Sequence, residues 1–362
     1  MAEWEGMELA RRFPPAHDPG PNMESNRESI AWLTRRDGSV VIGHGPFESA
    51  AAPPEAGVAF FLQDFALGDP QPWKIPQRVE HWQDGGLATT FGDAVVPDCH
   101  WDALDAAPFS LVFQEIMTSI HGGIFEKTVP VVTESGVSLQ TPGRAIMAAM
   151  ARQRSPLQSY GFGHAGTGFA GATPELLFSL NGQHLETMAL AGTARSEDRD
   201  VFAVDEKEIR EHEYVAQTLV SKLLDLGQLT RKAREILDLG SIVHFLTLIR
   251  VDLHRAMSPH ELLRRLHPTP ALGPLPRTDG TMEKLHEWRR RLDCPPAFGA
   301  PFGLWENGRF DAIVAIRGVW WEGMQVRIPA GCGIIEASRL VNEWRELRLK
   351  REAVKRFLNP SA

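Results

Sequence analysis

The segment Ser338–Leu358 places charged side chains where a helix should be apolar. On a wheel of roughly 100° per residue, Leu340, Leu347, Val354, Phe357 and Leu358 form one stripe. Arg345, Arg348, Glu352, Lys355 and Arg356 gather opposite. Glu343, Glu346 and Lys350 fall on the apolar side, where ionised groups are rare unless paired or bound to something charged. Two readings stay open: an internal Glu346–Lys350 ion pair one turn apart, or a carboxylate and an ammonium belonging to a site.

A second acidic cluster, Glu206, Glu208, Glu211, His212 and Glu213, opens a helix whose apolar stripe runs Val215, Leu219, Leu223, Leu226. Acidic residues in a first turn suit the helix dipole, so a solvated N-terminus accounts for them equally. Glu208 and His212 fall within the stripe and Glu211 at its edge, so periodicity does not choose between them. Two carboxylates from separate helices would suit a hard divalent cation such as Mg²⁺, completed by water and an anionic substrate.

Three further side chains have the right chemistry. Glu175 follows Pro174 at the entrance to a strand; partial burial there would raise its pKa and make it a general acid. Lys127 shares a strand face with Val129 and Val131, so it is either an edge-strand gatekeeper or a desolvated amine able to act as a base. Arg317 shares a face with Ile313 and Ala315, which suits an inward guanidinium that clamps a carboxylate.

The elements that must position these groups are mixed. Asn181-Gly182 lies between apolar runs and predicts a hairpin, as does Asn307-Gly308. A long strand is expected over 310–321, turning at Glu322-Gly323 into 324–329. Helices are expected at about 206–226, 230–237, 259–266, 282–292 and 338–358. Meanders combined with long helices indicate an α+β fold rather than alternating βαβ units. We read residues 1–362 as one domain, with 1–110 as its motif-poor part, made of strands and loops, and 111–358 as the part carrying the motifs. Gly161-Phe162-Gly163-His164-Ala165-Gly166 spells a dinucleotide fingerprint, but a second glycine-rich stretch follows where a helix should begin, so it is set aside.

Bulk properties narrow the class. With 43% hydrophobic and 23% charged residues, the chain can bury a sizeable core. A net charge of −8 argues against a nucleic-acid partner. Cys99, Cys294 and Cys332 are widely spaced, which predicts neither disulfides nor structural zinc. The N-terminus, Met-Ala-Glu-Trp-Glu-Gly, has no signal-peptide pattern, and no apolar run approaches a membrane span. A soluble, cytoplasmic, monomeric protein that acts on a small molecule is the expectation.

Seven collinear blocks resemble the chorismate-utilising enzymes: G-A-T-P-E-L-L at 171–177, A-L-A-G-T-A-R at 189–195, R-E-H-E-Y-V at 210–215, H-P-T-P-A-L-G at 267–273, I-V-A-I-R at 313–317, G-C-G-I at 331–334 and E-W-R-E-L-R-L-K at 343–350. The resemblance implies a sandwich of two large antiparallel β-sheets surrounded by helices. It also implies chorismate as substrate and Mg²⁺ held by Glu211 and Glu346. Lys350, Arg317 and the backbone around Gly331 would hold the substrate carboxylates, with Gly192, Thr193, His267 and Ala271 completing the binding surface. Glu175 would be the acid at the C4 hydroxyl and Lys127 the base that activates water.

Lysine at 127 and A-L-A-G-T at 189–193 point to the isochorismate branch, in which water is the nucleophile. A salicylate-forming or ammonia-using relative, or an inactive chorismate-binding regulator, are the other readings. Two departures from the family pattern are Pro130, which removes a backbone donor, and Cys332 in place of alanine, which would add bulk beside a substrate carboxylate.

Overall fold

The structure, a computed structural model of the chain, describes residues 29–83, 86–92 and 94–359. The N-terminal residues read for a targeting signal lie outside them. Among the described residues, 17 strands form one continuous network, with every ladder antiparallel. The sheets of the expected sandwich are thus joined through shared strands, and helices surround them. A separate two-stranded ladder pairs Ile334 with Thr128 and Ile335 with Lys127.

Both Asn-Gly hairpins form. Leu176–Asn181 turns into His184–Arg195, and Pro301–Glu306 turns into Arg309–Val314. In the second hairpin Asn307 and Gly308 take φ of 48° and 89°, the doubly left-handed turn whose twist matches its flanking strands.

Three expectations change. Residues 230–237, expected to be helical, instead contribute to the strands Gly227–Arg231 and Glu235–Asp238. Both pair with the long strand Ile242–Leu253, whose open ladder decides the conformation over local propensity. The single strand expected over 310–321 is broken: Arg309–Val314 ends, the chain turns, and Gly318–Glu322 resumes, with Arg317 at φ 57° in the break. Finally, Ala107–His121 and Gly143–Ala151 are helices that the sequence reading did not identify. The first buries Phe109, Val112, Phe113, Ile116 and Ile120 at helical spacing, with Pro108 in its first turn.

The glycine fingerprint lies within the strand Gln158–His164 and the turn that follows it. Gly161 is there for packing, since a Cβ would stand 2.2 Å from the Trp32 ring. Gly161→Ala is expected to cost about 1–3 kcal/mol through overpacking, read as a lowered denaturant midpoint with an unchanged m-value.

Two helices matter most for the site. Glu206–Leu223 is capped by Asp205, whose side chain accepts from the Glu208 N–H, and buries Val215, Ala216, Leu219 and Leu223. Leu340–Leu358 buries Leu347, Ala353, Val354 and Leu358 and packs on the strand Gln325–Gly331. Burying those apolar stripes forces the glutamates that share their faces inward.

Candidate active site

A cleft of about 640 Å³, part of it open to solvent, is lined by Glu175, Gly192, Thr193, Glu211, His244, Ala271, Arg317, Gly331, Gly333 and Lys350, among others. These residues come from chain segments more than 170 positions apart. Of the residues singled out in the sequence, Glu175, Gly192, Thr193, Glu211, Ala271, Arg317, Gly331 and Lys350 line it directly. Lys127 and Glu346 stand behind the lining. His267 does not reach it.

Lys127 is fully buried, its Nζ donating to Pro270 O at 2.5 Å and lying 3.6 Å from Glu211 Oε1. Burial lowers the pKa of its amine, and this outweighs the opposing pull of Glu211. The edge-strand alternative is therefore excluded, because the side chain is shielded from bulk solvent. Glu175 is also buried, and Thr269 Oγ1 donates to its Oε1 at 3.4 Å. Burial raises its pKa to about 7, against the lowering pull of Lys127, Thr269, Lys350 and Arg317. A buried amine and a buried carboxyl thus share one electrostatic neighbourhood.

The 267–273 block contacts both of them, since Thr269 Oγ1 donates to Glu175 and Pro270 O accepts from Lys127. His267 supports this block from behind. Its Nε2 bonds Phe65 O at 2.9 Å and its ring stands edge-on to the Phe65 ring. Burial brings its pKa down to about 3, so it is neutral. His267, expected at the binding surface, instead contacts Phe65.

A bulge shapes the opposite wall. The register between His184–Arg195 and Ile242–Leu253 shifts between Ala191 and Ala194, with Gly192 at φ 78°. The bulge turns Gly192 O onto His244 Nδ1 at 2.7 Å and the Thr193 N–H onto Glu208 Oε2 at 2.8 Å. Because Nδ1 donates to a carbonyl, Nε2 is left to accept from Arg317 Nη2 at 2.7 Å. The left-handed backbone at Arg317, uncommon for a side chain of this size, aims the guanidinium at this histidine and into the cleft. Sequence reasoning missed His244. The signal available was a lone histidine in the apolar run 242–246.

On the remaining side, Lys350 Nζ pairs with Glu346 at 2.5 Å and donates to Gly331 O at 2.8 Å. The intrahelical ion pair forms, and Lys350 also lines the cleft. Gly333 covers Glu211 and Lys127; a Cβ there would lie 1.9 Å from Glu211 Oε1 and 3.0 Å from Lys127 Cε. Cys332 points away, into the core cluster with Phe109, Val132, Ile334 and Leu347. Its bulk goes to the interior, not to the cleft as expected from the motif. Pro130 lies between two strands, and its carbonyl accepts from Cys332 N–H at 3.4 Å.

Four glutamates converge at one end of the cleft, Glu211 in its lining and Glu208, Glu343 and Glu346 behind it. Lys207 Nζ lies 2.9 Å from Glu208 Oε1, 3.0 Å from Glu211 Oε2 and 3.4 Å from Glu343 Oε1, and Glu346 contributes to the same field. Burial would lower the Lys207 pKa, but these carboxylates outweigh it and hold the amine well above its usual value. Lys207 was not singled out in the sequence, although it sits one turn before Glu211 between two other glutamates. A cation centred in hard oxygen donors from two helices is the chemistry of a divalent-ion site, so the donor set fits Mg²⁺. Among the described residues, no three metal-binding side chains already close on one point at ligand distance; the ammonium is what they surround.

Residues 99–359 match the family described as chorismate binding enzyme. The chain belongs to that family.

The chain is 32% identical over 201 residues to the isochorismate synthase MenF of Bacillus subtilis, covering 51% of the chain and 41% of that protein. It is 28% identical over 298 residues to the salicylate biosynthesis isochorismate synthase of Pseudomonas aeruginosa, covering 79% of the chain and 60% of that protein. The alignments thus span about half the length of the first curated relatives, between 41% and 48%. The crystal structure of the menaquinone-specific isochorismate synthase MenF from Escherichia coli superposes with a TM-score of 0.76 at 19% identity, covering 94% of this chain and 92% of that one. That likeness establishes the fold. Among the described residues no helix is long and apolar enough to cross a membrane.

Proposed function

We propose that this protein is an isochorismate synthase that isomerises chorismate with the help of Mg²⁺. The observation that carries the reading is the pairing of a fully buried lysine, its pKa depressed, with a buried glutamate held near 7, beside one cleft lined by Arg317 and Lys350. Two cations at the wall suit the two carboxylates of chorismate. Tuning an acid up and a base down in one site is how both proton transfers run near neutrality.

In this reading, neutral Lys127 takes a proton from water as its oxygen bonds to C2. The ring double bond shifts, the C4–O bond breaks, and Glu175 gives its proton to the departing hydroxyl, which leaves as water. One water enters and one leaves, so the product is an isomer. Arg317 and Lys350 hold the carboxylates, and His244 keeps the Arg317 guanidinium in place through its neutral Nε2. Gly192, Thr193, Ala271 and Gly331 shape the binding surface. Glu211 and Glu346 would hold Mg²⁺, with Glu208 and Glu343 close by, and the ion when bound would neutralise a substrate carboxylate and fix its orientation.

The test is chorismate turnover with Mg²⁺ and with a chelator, products resolved by chromatography. Isochorismate formed only with the metal supports the reading. Salicylate with pyruvate, or an aminated product when ammonium is supplied, would reassign the branch. Binding of chorismate without turnover would make the protein a non-catalytic binder. Glu211→Gln and Glu346→Gln are each expected to raise the Mg²⁺ concentration for half-maximal rate by roughly tenfold or more, the scale on which even supporting groups alter metal affinity. An unchanged metal requirement in both variants removes these ligands from the assignment.

A further inference from the structure

We infer that Lys207 is a tethered counter-ion which holds the carboxylate cluster together in the metal-free protein, and that a divalent ion must displace its ammonium to bind. The inference rests on the metal site proposed above and concerns a residue that the reaction itself does not use.

The geometry makes the two cations exclusive. The ammonium lies 2.9–3.4 Å from oxygens of Glu208, Glu211 and Glu343, which come from two different helices. Glu211 is common to both: an ion held by Glu211 and Glu346 would draw on the carboxylate whose Oε2 the ammonium now binds. A like charge left beside that carboxylate would oppose the ion's approach. Glu211 shows where the competition falls. Its Oε1 faces Lys127 at 3.6 Å and lies against Gly333, while its Oε2 is the atom that Lys207 binds.

The two neighbouring lysines differ in their freedom to leave. Lys127 is 0% exposed and has no route out. Lys207 keeps 19% of its side chain in contact with solvent, at the start of the helix Glu206–Leu223. Its long stem lets the ammonium swing into water while the backbone stays still. Without a metal, three inward carboxylates facing one another would repel; with the lysine in place the cluster is assembled before the ion arrives. Preassembly and competition then come from the same side chain.

The experiment is a calorimetric titration of the full chain with Mg²⁺, without substrate and in mildly alkaline buffer. It compares wild type with Lys207→Met, which keeps the stem and removes the charge, and with Lys207→Arg, which keeps the charge. Lys207→Met is expected to bind Mg²⁺ about tenfold tighter or more, to melt lower without metal, and to gain more in Tm on adding it. Lys207→Arg is expected to bind no tighter than wild type. A folded Lys207→Met protein whose Kd for Mg²⁺ is unchanged or weaker overturns the inference while leaving the metal site standing. Absence of any Mg²⁺ binding by wild type overturns both.

Should Lys207→Met fail to fold, acylation of the wild-type protein with peptide mapping decides. Lys207 should become severalfold more reactive when Mg²⁺ is added, and equal or lower reactivity overturns the inference.

Discussion

Lys127→Ala is expected to lower kcat for isochorismate formation by roughly 10³-fold, within the range ascribed to a positioned general base, while Mg²⁺ binding and the folded state persist. The argument rests on the surroundings of the amine. It is fully buried, burial depresses its pKa against the pull of Glu211, and its Nζ donates to the Pro270 carbonyl. Burial of this kind favours the neutral amine with its free lone pair over the ammonium. Lys127→Met preserves most of the volume and controls for the cavity left by alanine. Product chromatography reports the rate and circular dichroism the fold. Retention of more than about a tenth of wild-type kcat in either variant would mean that water is activated elsewhere.

The second large effect concerns Glu175. Its pKa is raised from 4.5 to about 7, first by burial, so the protonated acid that the proposed C4–O cleavage calls for is lost as pH rises through about 7. The kcat/KM of wild type should therefore fall about tenfold per pH unit above that value. Glu175→Gln should remove this limb together with roughly 10²- to 10⁴-fold of the rate.

Stability follows the same proton. Below 4.5 both folded and unfolded chains carry it. Between 4.5 and about 7 the unfolded chain releases it while the folded chain does not, so stability declines as pH rises, by roughly 3 kcal/mol in total. Glu175→Gln has no such proton and should be more stable than wild type at pH 8 by a comparable amount, measured by denaturant titration at several pH values. A variant that loses activity while gaining alkaline stability is the signature of a carboxyl kept neutral for chemistry. If the pH dependence of stability in Glu175→Gln matches that of wild type, Glu175 is not held protonated.

Much of the site was legible because helical periodicity acts as a filter. Glu343, Glu346 and Lys350 stood out as charges on an apolar face, and the structure buries the first two and sets Lys350 at the cleft. The Asn307-Gly308 turn was legible because few dipeptides adopt two successive left-handed conformations cheaply. The strands at 227–231 and 235–238 were not, because their conformation is imposed by a partner strand that lies beyond them in the chain. The break before Arg317 was hidden as well, since nothing in I-V-A-I-R announces a left-handed arginine.

The sequence by itself determined which groups are present and which faces they share: a lysine in an apolar strand, a glutamate behind a proline, two amphipathic helices carrying inward carboxylates. Local rules suffice for that, because side-chain direction within a helix or strand follows from backbone geometry alone. Only the tertiary structure decided who meets whom. It set Lys127 beneath Gly333 beside Glu211, turned His267 from the cleft to Phe65, brought His244 to Arg317, sent Cys332 into the core, and placed the Lys207 ammonium among the glutamates. The physical reason is that pKa values and ion pairs depend on burial and on neighbours a few ångströms away, and those neighbours are chosen by how strands register and helices pack over long chain separations.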